Sequence, residues 1–387
     1  MRKTLRRSWE RLQRQNQERP ARWLGTALVA LFLFLVLIGP FLPLSPQYRS
    51  RAADIFLLCV IYSIIALGLN SVTGYTGLLD LGIVAFASIG AYTATILYDR
   101  PWMQFPGSFL VVLLVGGLHA ALWGLLRGAP TLRLSGDYYA IVTFAFAEIV
   151  RIFIRTEGWL TGGGNGFKNF PAINLFGARL IEGEYQGILK TSGYWEYPHG
   201  GVWHGGTAGF YYLSLVLLIL TVVVMYRLED SRTGRAWFAM KADETSAAAC
   251  GINLSAYKLY AFAISAFFAG VGGALLGFKM NVVSTNVFDF WFSVVVLCGV
   301  VLGGMGSIPG VIAGTFIVYG LGELLREQVR IGGIVLQVDD RARFLFFGIL
   351  LVLVMVFRPQ GLFPRRPVEE SKKLAVEYDS PLYRLGR

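Results

Sequence analysis

Charged side chains are scarce in this chain. Asp, Glu, Lys and Arg make up 15% of its 387 residues, whereas a typical soluble domain carries about 25%. Hydrophobic residues reach 55%, and the mean hydropathy is +0.56. So few charges, combined with long apolar runs, exclude an ordinary soluble enzyme and predict an all-α integral membrane protein.

Cysteine and histidine are too few and too scattered for a metal or redox centre. Cys59, Cys250 and Cys298 form no CxxC pair, and no Cys/His cluster has the spacing of zinc ligands. We expect His119, which lies in an apolar run, to be a buried and hydrogen-bonded structural residue. The sequence therefore predicts no metal site and no catalytic residue.

Nucleotide-binding and hydrolytic motifs are absent too. No Gly-Lys dipeptide occurs, which excludes a Walker A loop, and neither HExxH nor GxSxG is present. The glycine-rich stretch 161–166 lacks the lysine that a phosphate loop needs. We therefore expect no cofactor on this chain.

The net charge of +11 follows the topology of a membrane protein. Basic residues cluster in a basic N-terminal arm, 1–22, in one set of loops and in the tail, 359–387, as the positive-inside rule requires of cytoplasmic segments. The sequence thus predicts cytoplasmic N- and C-termini, contact with membrane lipid and no nucleic-acid partner. The first apolar run is too long for a signal peptide.

About 20 apolar residues cross a bilayer, and this length predicts about ten transmembrane helices between residues 23 and 358. A long outer loop, 156–208, and a cytoplasmic loop, 228–257, interrupt them. The predicted spans are 23–44, 52–69, 80–98, 107–126, 138–155, 209–226, 258–280, 290–305, 310–326 and 342–357.

Spans 2–5 and spans 7–10 form blocks of nearly equal length that enter the membrane from opposite sides. This arrangement predicts an inverted repeat around a midplane pathway. Each block holds a glycine-interrupted hairpin, which either marks the pathway or serves ordinary close packing of helices. The pathway or gating candidates in these hairpins are Gly77, Asp80, Gly82, Gly303, Gly304 and Gly306.

Glu148 and Arg151 stand three residues apart within the fifth predicted span, so they share a helical face and can pair. A charge at the centre of a span costs about 2.5–3.5 kcal/mol, so the pair needs an explanation. It is either a gate near the pathway mouth or an anchor at the interface. For Asp80, at the cytoplasmic end of a span, helix capping is a sufficient explanation.

A polar, helix-prone segment, 231–252, lies between two long apolar runs and reads SRTGRAWFAMKADETSAAACGI. A soluble motor can grip only the part of a membrane protein that leaves the bilayer. We therefore predict that an external ATPase acts on this segment. The alternative is a solvated connector.

Seven segments, at 74–92, 132–152, 160–167, 234–252, 258–277, 300–314 and 357–364, resemble in order the branched-chain amino-acid permease family of bacterial ABC importers, in particular its M-type subunits. The resemblance implies a multi-pass subunit of the bacterial cytoplasmic (inner) membrane. Its implied partners are a second homologous permease, two cytoplasmic ABC ATPases that hold ATP and Mg, and an extracytoplasmic amino-acid-binding protein.

The resemblance also implies that residues 234–252, within this polar segment, form the cytoplasmic loop where the ATPase docks. The residues implied for this coupling are Gly234, Arg235, Lys241, Asp243, Glu244, Ala247, Ala248 and Gly251. The expected substrate is a branched-chain or other hydrophobic amino acid. Two alternatives stay open: an importer of urea or short amides, and an ion-coupled secondary transporter. Outer-loop residues 177–208 match no pattern of the family.

Overall fold

The computed structural model describes residues 46–98, 108–132, 136–168, 173–175, 178–181, 206–326, 329–331 and 334–336, with a few positions between 348 and 363. The predicted basic arm 1–22, the first span 23–44, most of the last span and the tail beyond 363 lie outside these residues, as does the outer loop from 182 to 205.

The described residues form an all-α membrane protein. In chain order the helices are α1 (Pro46–Asn70), α2 (Ile83–Tyr98), α3 (Ser108–Thr131), α4 (Asp137–Thr156), the single turn α5 (Gly158–Thr161), α6 (Gly206–Asp230), α7 (Arg232–Ala242), α8 (Glu244–Ala249), α9 (Leu254–Met280), α10 (Phe290–Gly303) and α11 (Ile308–Arg326). Within the described part, four helical stretches are long and apolar enough to cross a membrane: Ala53–Thr76, Phe109–Thr131, Gly209–Asp230 and Leu254–Met280. The total of ten spans stays a prediction.

Strands are short and confined to connections. β1 (Phe167–Lys168) pairs with β4 (Val282–Val283), β2 (Ile173–Leu175) with β3 (Ala178–Ile181), and β5 (Val329–Ile331) with β6 (Ile334–Leu336), all antiparallel. The β1–β4 pair joins the connections that follow α4 and α9. The ends of these two helices therefore meet at one end of the bundle, which we call the loop end. The opposite end, which carries α7 and α8, is the coupling end.

Glycines bring the backbones of the central helices into contact. A Cβ atom added to Gly90 of α2 would lie 2.3 Å from the Cα of Gly270 in α9, and one added to Gly116 of α3 would lie 2.9 Å from the Gly90 carbonyl oxygen. Only small residues permit such an approach between membrane helices. Helix α9 is thereby enclosed by α2 and α3 and forms the centre of the fold.

Helix α10 begins inside the bundle. Its Phe292 ring lies 5.2 Å from the ring of Tyr62, near the middle of α1, and the Ser293 hydroxyl accepts a hydrogen bond from the Val84 backbone N–H at 3.3 Å. The eighth predicted span is therefore a helix that starts beside buried side chains of its neighbours. The length and hydropathy of this segment did not predict that the helix begins there.

The two glycine breaks take different places in their blocks. The first break follows α1, the first helix of its block, whereas the second separates α10 from α11, the second and third helices of the other block. The breaks contact each other, as described below, but they do not occupy matching positions. The inverted repeat thus stays a prediction.

Candidate coupling and pathway site

Capping residues divide the coupling segment, 231–252, into two short helices. The Ser231 hydroxyl accepts from the Gly234 N–H at 3.2 Å and begins α7, and the Asp243 carboxylate accepts from the Thr245 N–H at 2.9 Å and begins α8. Such side-chain acceptors satisfy N–H groups that have no partner within the helix. Gly251, with φ +84°, follows the end of α8.

The carboxylate of Asp243 also accepts a hydrogen bond from the Ser246 hydroxyl at 2.6 Å. This bond and those from the backbone N–H groups of Thr245 and Ser246 favour the charged form, so they lower the pKa of Asp243 from its usual value. The cap therefore remains ionised at neutral pH.

The charged side chains of the coupling segment make contacts within the chain. The Lys241 ammonium donates to the Gly74 carbonyl oxygen at 2.7 Å, and Glu244 pairs with Lys258 at 2.8 Å. Arg235 donates to a backbone carbonyl at the end of α6 at 2.8 Å. These interactions hold the segment against its own transmembrane helices.

A buried tryptophan anchors α7 to the end of α1. The Trp237 ring is fully buried and stacks on Tyr75 with ring centroids 6.0 Å apart, and its indole N–H donates to the Tyr257 carbonyl at 2.8 Å. Gly234 and Ala247 are buried as well, whereas Ala248 is exposed. The exposed side of α8 comprises Thr245, Ser246, Ala248, Ala249 and the adjoining Cys250.

The two glycine breaks meet beneath α7. A π-helical turn, Ser71–Thr76, prolongs α1, and the side-chain oxygen of Asn70 accepts from the Gly306 N–H at 2.8 Å. A Cβ atom on Gly74 would lie 2.6 Å from the same nitrogen. Gly306 has φ +92°, which favours glycine. We call this contact of residues 70–77 with 303–306 the glycine junction.

Lys241 connects the two predicted residue sets. A Cβ atom on Gly77, where φ is +79°, would lie 3.1 Å from the Lys241 Cγ atom. The coupling candidate Lys241 therefore contacts the pathway candidate Gly77 directly, and it reaches the glycine junction through the Gly74 carbonyl.

The end of α10 is closed by a later part of the chain. Leu362 and Phe363 donate their backbone N–H groups to the carbonyl oxygens of Leu302 and Gly303 at 2.8 and 3.0 Å. These are carbonyls of the last helical turn, which lack partners within the helix. Residues 361–363 thus form a C-terminal clasp on the candidate Gly303 and, through a contact from Gly361, on Gly304.

Asp80 does more than cap a helix, because it forms a buried ion pair. Arg127 donates to both Asp80 oxygens at 2.9 and 2.6 Å, and the two side chains are 2% and 0% exposed. The guanidinium lies 4.5 Å from the Phe86 ring centroid and 3.3 Å from the Tyr139 hydroxyl. The predicted span 107–126 leaves Arg127 in the cytoplasmic loop that follows it. Arg127 lies instead inside α3, where its buried partner holds it.

The loop between Gly77 and α2 is tied to α4. The Leu81 N–H donates to the Thr143 hydroxyl at 3.1 Å, and the Gly82 N–H donates to Asp80 at 2.8 Å. A Cβ atom on Gly82 would lie 2.6 Å from the Thr143 carbonyl oxygen. The pathway candidates Asp80 and Gly82 therefore belong to one packed unit with α3 and α4.

Glu148 and Arg151 form the predicted pair, with N–O distances of 3.0 and 3.3 Å and side chains 40% and 34% exposed. Among the described residues, the pair makes no hydrogen bond or ion pair with the glycine junction, and it stands apart from it on α4. His119 is hydrogen-bonded to Thr93 and Trp123 as expected, but it is exposed. Within the described residues, no three His, Cys, Asp or Glu side chains could hold a metal ion.

Several residues of the site were not predicted from the sequence. Asn70, Tyr75, Trp237 and Lys258 all hold the coupling segment or the glycine junction in place. Trp237 did carry a signal, since it is a large apolar side chain in an otherwise polar segment. Asn70 and Lys258 carried none, because their partners lie 236 and 14 residues away.

Residues 51–355 match the family described as "Branched-chain amino acid transport system / permease component". The chain is 39% identical over 351 residues to the high-affinity branched-chain amino acid transport system permease protein LivM of Escherichia coli K12, covering 89% of this chain and 78% of that protein. It is 28% identical to the permease protein BraD of Pseudomonas aeruginosa, covering 80% and 93%.

A more distant relative is the probable branched-chain amino acid transport permease protein LivM of Methanocaldococcus jannaschii, which is 24% identical and covers 80% of this chain and 92% of its own. No solved structure matches. The family match spans most of the chain and includes every helix that forms the site. This chain therefore belongs to the family of branched-chain amino acid transport system permease components.

Proposed function

We propose that this chain is the transmembrane permease subunit of an ABC importer that carries branched-chain or other hydrophobic amino acids across the bacterial cytoplasmic membrane. The observation that carries the proposal is the attachment of the coupling segment to the glycine junction. Lys241 and Trp237 bind the π-helical turn that prolongs α1, and Gly306 lies against Gly74 of the same turn.

A push on α7 would pass through these contacts to the glycine junction, which is one of the places where the two blocks touch. Trp237 is fully buried, and interiors packed at this density transmit displacement because they compress little. The two blocks would then rock relative to each other and open the pathway to each side in turn. The chain itself performs no chemistry, since ATP and Mg would be held by the partner ATPases.

Membership of this family supports partner subunits of an ABC transport system. Two cytoplasmic ABC ATPases would act on this chain and on a second homologous permease. An extracytoplasmic amino-acid-binding protein would deliver the substrate to the side of the outer loop, 156–208. Both termini would be cytoplasmic. Ten spans would bring the tail back to the side of the coupling segment, and the arginine and lysine distribution supports that orientation.

Reconstitution tests the proposal. The chain is co-expressed with its partner subunits, placed in liposomes loaded with ATP, and supplied with binding protein and radiolabelled leucine. We expect uptake that requires ATP hydrolysis and all the subunits. Uptake of urea or acetamide in place of leucine would establish the amide alternative. Uptake by this chain alone, driven by an ion gradient without ATP, would establish a secondary transporter.

A further inference from the structure

Helix α4 carries its charges at a depth where lipid would oppose them. Glu148 lies 11 residues after the first residue of this 20-residue helix, about 16 Å along its axis at 1.5 Å per residue. If α4 spans the membrane as the sequence predicts, a half-exposed pair at this position is too deep for an anchor at the membrane surface, and it faces something more polar than hydrocarbon.

The charges form a stripe that includes an aromatic ring. At 100° per residue, Phe144, Glu148, Arg151 and Arg155 fall within an arc of about 60° on α4. The exposed Ile141 and Ile152 border this arc. One face of α4 thus offers an anion, a cation and an apolar surface side by side.

A helix begins opposite this stripe. The Phe144 ring lies 5.0 Å from the ring of Phe290, the first residue of α10, and the adjacent Trp291 is 42% exposed. Non-helical backbone at membrane depth is tolerated where it is buried in protein or lines a water-filled cavity. A charged face on α4 therefore lies next to the point where the chain enters α10, and both features are expected of the wall of a transport pathway.

Arg151 also has an unused donor. One terminal nitrogen of the guanidinium serves both oxygens of Glu148, while its buried Nε–H has no acceptor among the described residues. A guanidinium has five N–H donors, so Arg151 can donate hydrogen bonds to a second carboxylate.

We propose that Glu148 and Arg151 form a subsite in the pathway for the zwitterionic backbone of the transported amino acid. Glu148 receives the α-ammonium group, Arg151 receives the α-carboxylate, and Phe144 and Ile152 contact the apolar side chain. This inference rests on the proposed function. Because each charge exchanges a partner in the chain for one on the substrate, the net affinity is low, which suits a pathway that must release what it binds.

Neutral substitutions distinguish this subsite from a merely structural ion pair. In the reconstituted full complex we would compare Glu148→Gln, Arg151→Gln and the double variant for leucine uptake, for ATP hydrolysis stimulated by the loaded binding protein, and for subunit assembly. Each single variant should lower uptake by about tenfold or more, and the double variant should be at least as low. Hydrolysis and assembly should be retained.

A matched control exists at the loop end, where Lys279 and Asp54 form an ion pair away from the stripe. Lys279→Gln with Asp54→Asn should keep uptake near the wild-type rate. Recovery of uptake in the Glu148→Gln/Arg151→Gln variant would overturn the subsite, because a structural pair is harmed most when one charge remains alone. Wild-type rates in all the variants, or loss of the second permease from the complex, would overturn it too.

Thiol labelling provides an independent measurement. Ile141 is exposed at the border of the stripe, and Cys59 and Cys298 are buried. In an Ile141→Cys chain that carries Cys250→Ser, a water-soluble thiosulfonate should modify residue 141, and transport of leucine should change the modification rate. An unreactive residue 141 in the assembled complex would contradict a water-lined stripe. Failure of leucine uptake by the wild-type complex would instead count against the proposed function.

Discussion

The Asp80–Arg127 pair is the most completely buried charge pair among the described residues. Both ions lose their hydration, and the two hydrogen bonds, the Tyr139 hydroxyl and the Phe86 ring replace it. The net contribution of such a pair is small, but removing one partner leaves the other charge uncompensated. The pair therefore fixes how α2, α3 and α4 fit together more than it adds to stability.

We expect Arg127→Met to lower the free energy of unfolding by about 3–5 kcal/mol, because Asp80 would remain buried without a partner. Thermal denaturation of the purified chain in detergent, followed by tryptophan fluorescence, measures the loss. Asp80→Asn together with Arg127→Met should recover most of it. A double variant as unstable as Arg127→Met alone would contradict this account.

The cap of α8 should resist acid. The lowered pKa of Asp243 means that its cap contributes fully above the usual pKa of the carboxyl group. The contribution is lost only as pH falls through the lower value of the folded state. Amide hydrogen exchange across residues 244–249 measures the protection against pH.

Substitution separates the charge of Asp243 from its capping oxygen. Asp243→Ala should lose the protection of α8 at neutral pH, whereas Asp243→Asn should keep much of it, because an amide oxygen also caps a helix. Equal exchange in Asp243→Ala and wild type would show that tertiary contacts alone hold α8.

At the scale of elements, α10 and α11 pack through glycine. A Cβ atom on Gly303 would lie 2.1 Å from the Gly310 carbonyl oxygen, and one on Gly314 would lie 2.2 Å from the Gly299 carbonyl oxygen. Backbone atoms cannot withdraw from such contacts without moving the helix. Gly320 of α11 differs, since its nearest neighbour would be the Cys59 sulfur at 3.7 Å.

Alanine substitution should therefore affect the two places differently. Gly303→Ala should destabilise the chain by about 1–3 kcal/mol through overpacking, whereas Gly320→Ala should be neutral or slightly stabilising. Thermal unfolding of both variants in the same detergent makes the comparison. Similar midpoints would indicate that α10 and α11 can separate at little cost.

Substitution of an exposed alanine in α8 tests ATPase docking more directly than substitution of a charged residue does. Glu244 already pairs with the largely buried Lys258, so Glu244→Arg would disturb the fold as well as any partner contact. Ala248 is exposed and makes no side-chain contact of that kind. We expect Ala248→Arg to abolish ATP-driven uptake while insertion and folding are retained.

Uptake in proteoliposomes and co-purification of the ATPase are the two measurements for Ala248→Arg. Lys168→Ala, an exposed change in β1 at the loop end, is the control and should transport normally. Wild-type uptake by Ala248→Arg would remove this side of α8 from the docking surface.

For the whole molecule, the C-terminal clasp joins distant parts of the chain. Ending the chain at residue 360 would remove the two hydrogen bonds to Leu302 and Gly303. We expect a loss of about 1–3 kcal/mol, from about 0.5–1.5 kcal/mol for each bond. A chain that ends at residue 368 keeps the clasp and should match wild type in thermal unfolding. Equal stability of the two truncated chains would exclude a role for the clasp.

Periodic and local features of the fold could be read from the sequence, and distant contacts could not. The lengths of apolar runs predicted where α1, α2, α3, α4, α6, α9 and α11 lie, and an i, i+3 spacing predicted the Glu148–Arg151 pair. Asp80 and Arg127 stand 47 residues apart, so no spacing rule could join them. The place where α10 begins depends on its packing against neighbouring helices, and the hydropathy of a segment does not predict which helices pack against it.

The π-helical turn Ser71–Thr76 has a consequence for how motion could be divided. Such a turn holds about one residue more than an α-helical turn. If that residue passed into the following loop, the residues after it in the turn would rotate by about 100° relative to α1. Since α7 holds Gly74 and Tyr75, its displacement would then be converted into a change of register. The two positions of the turn would then differ by a whole residue.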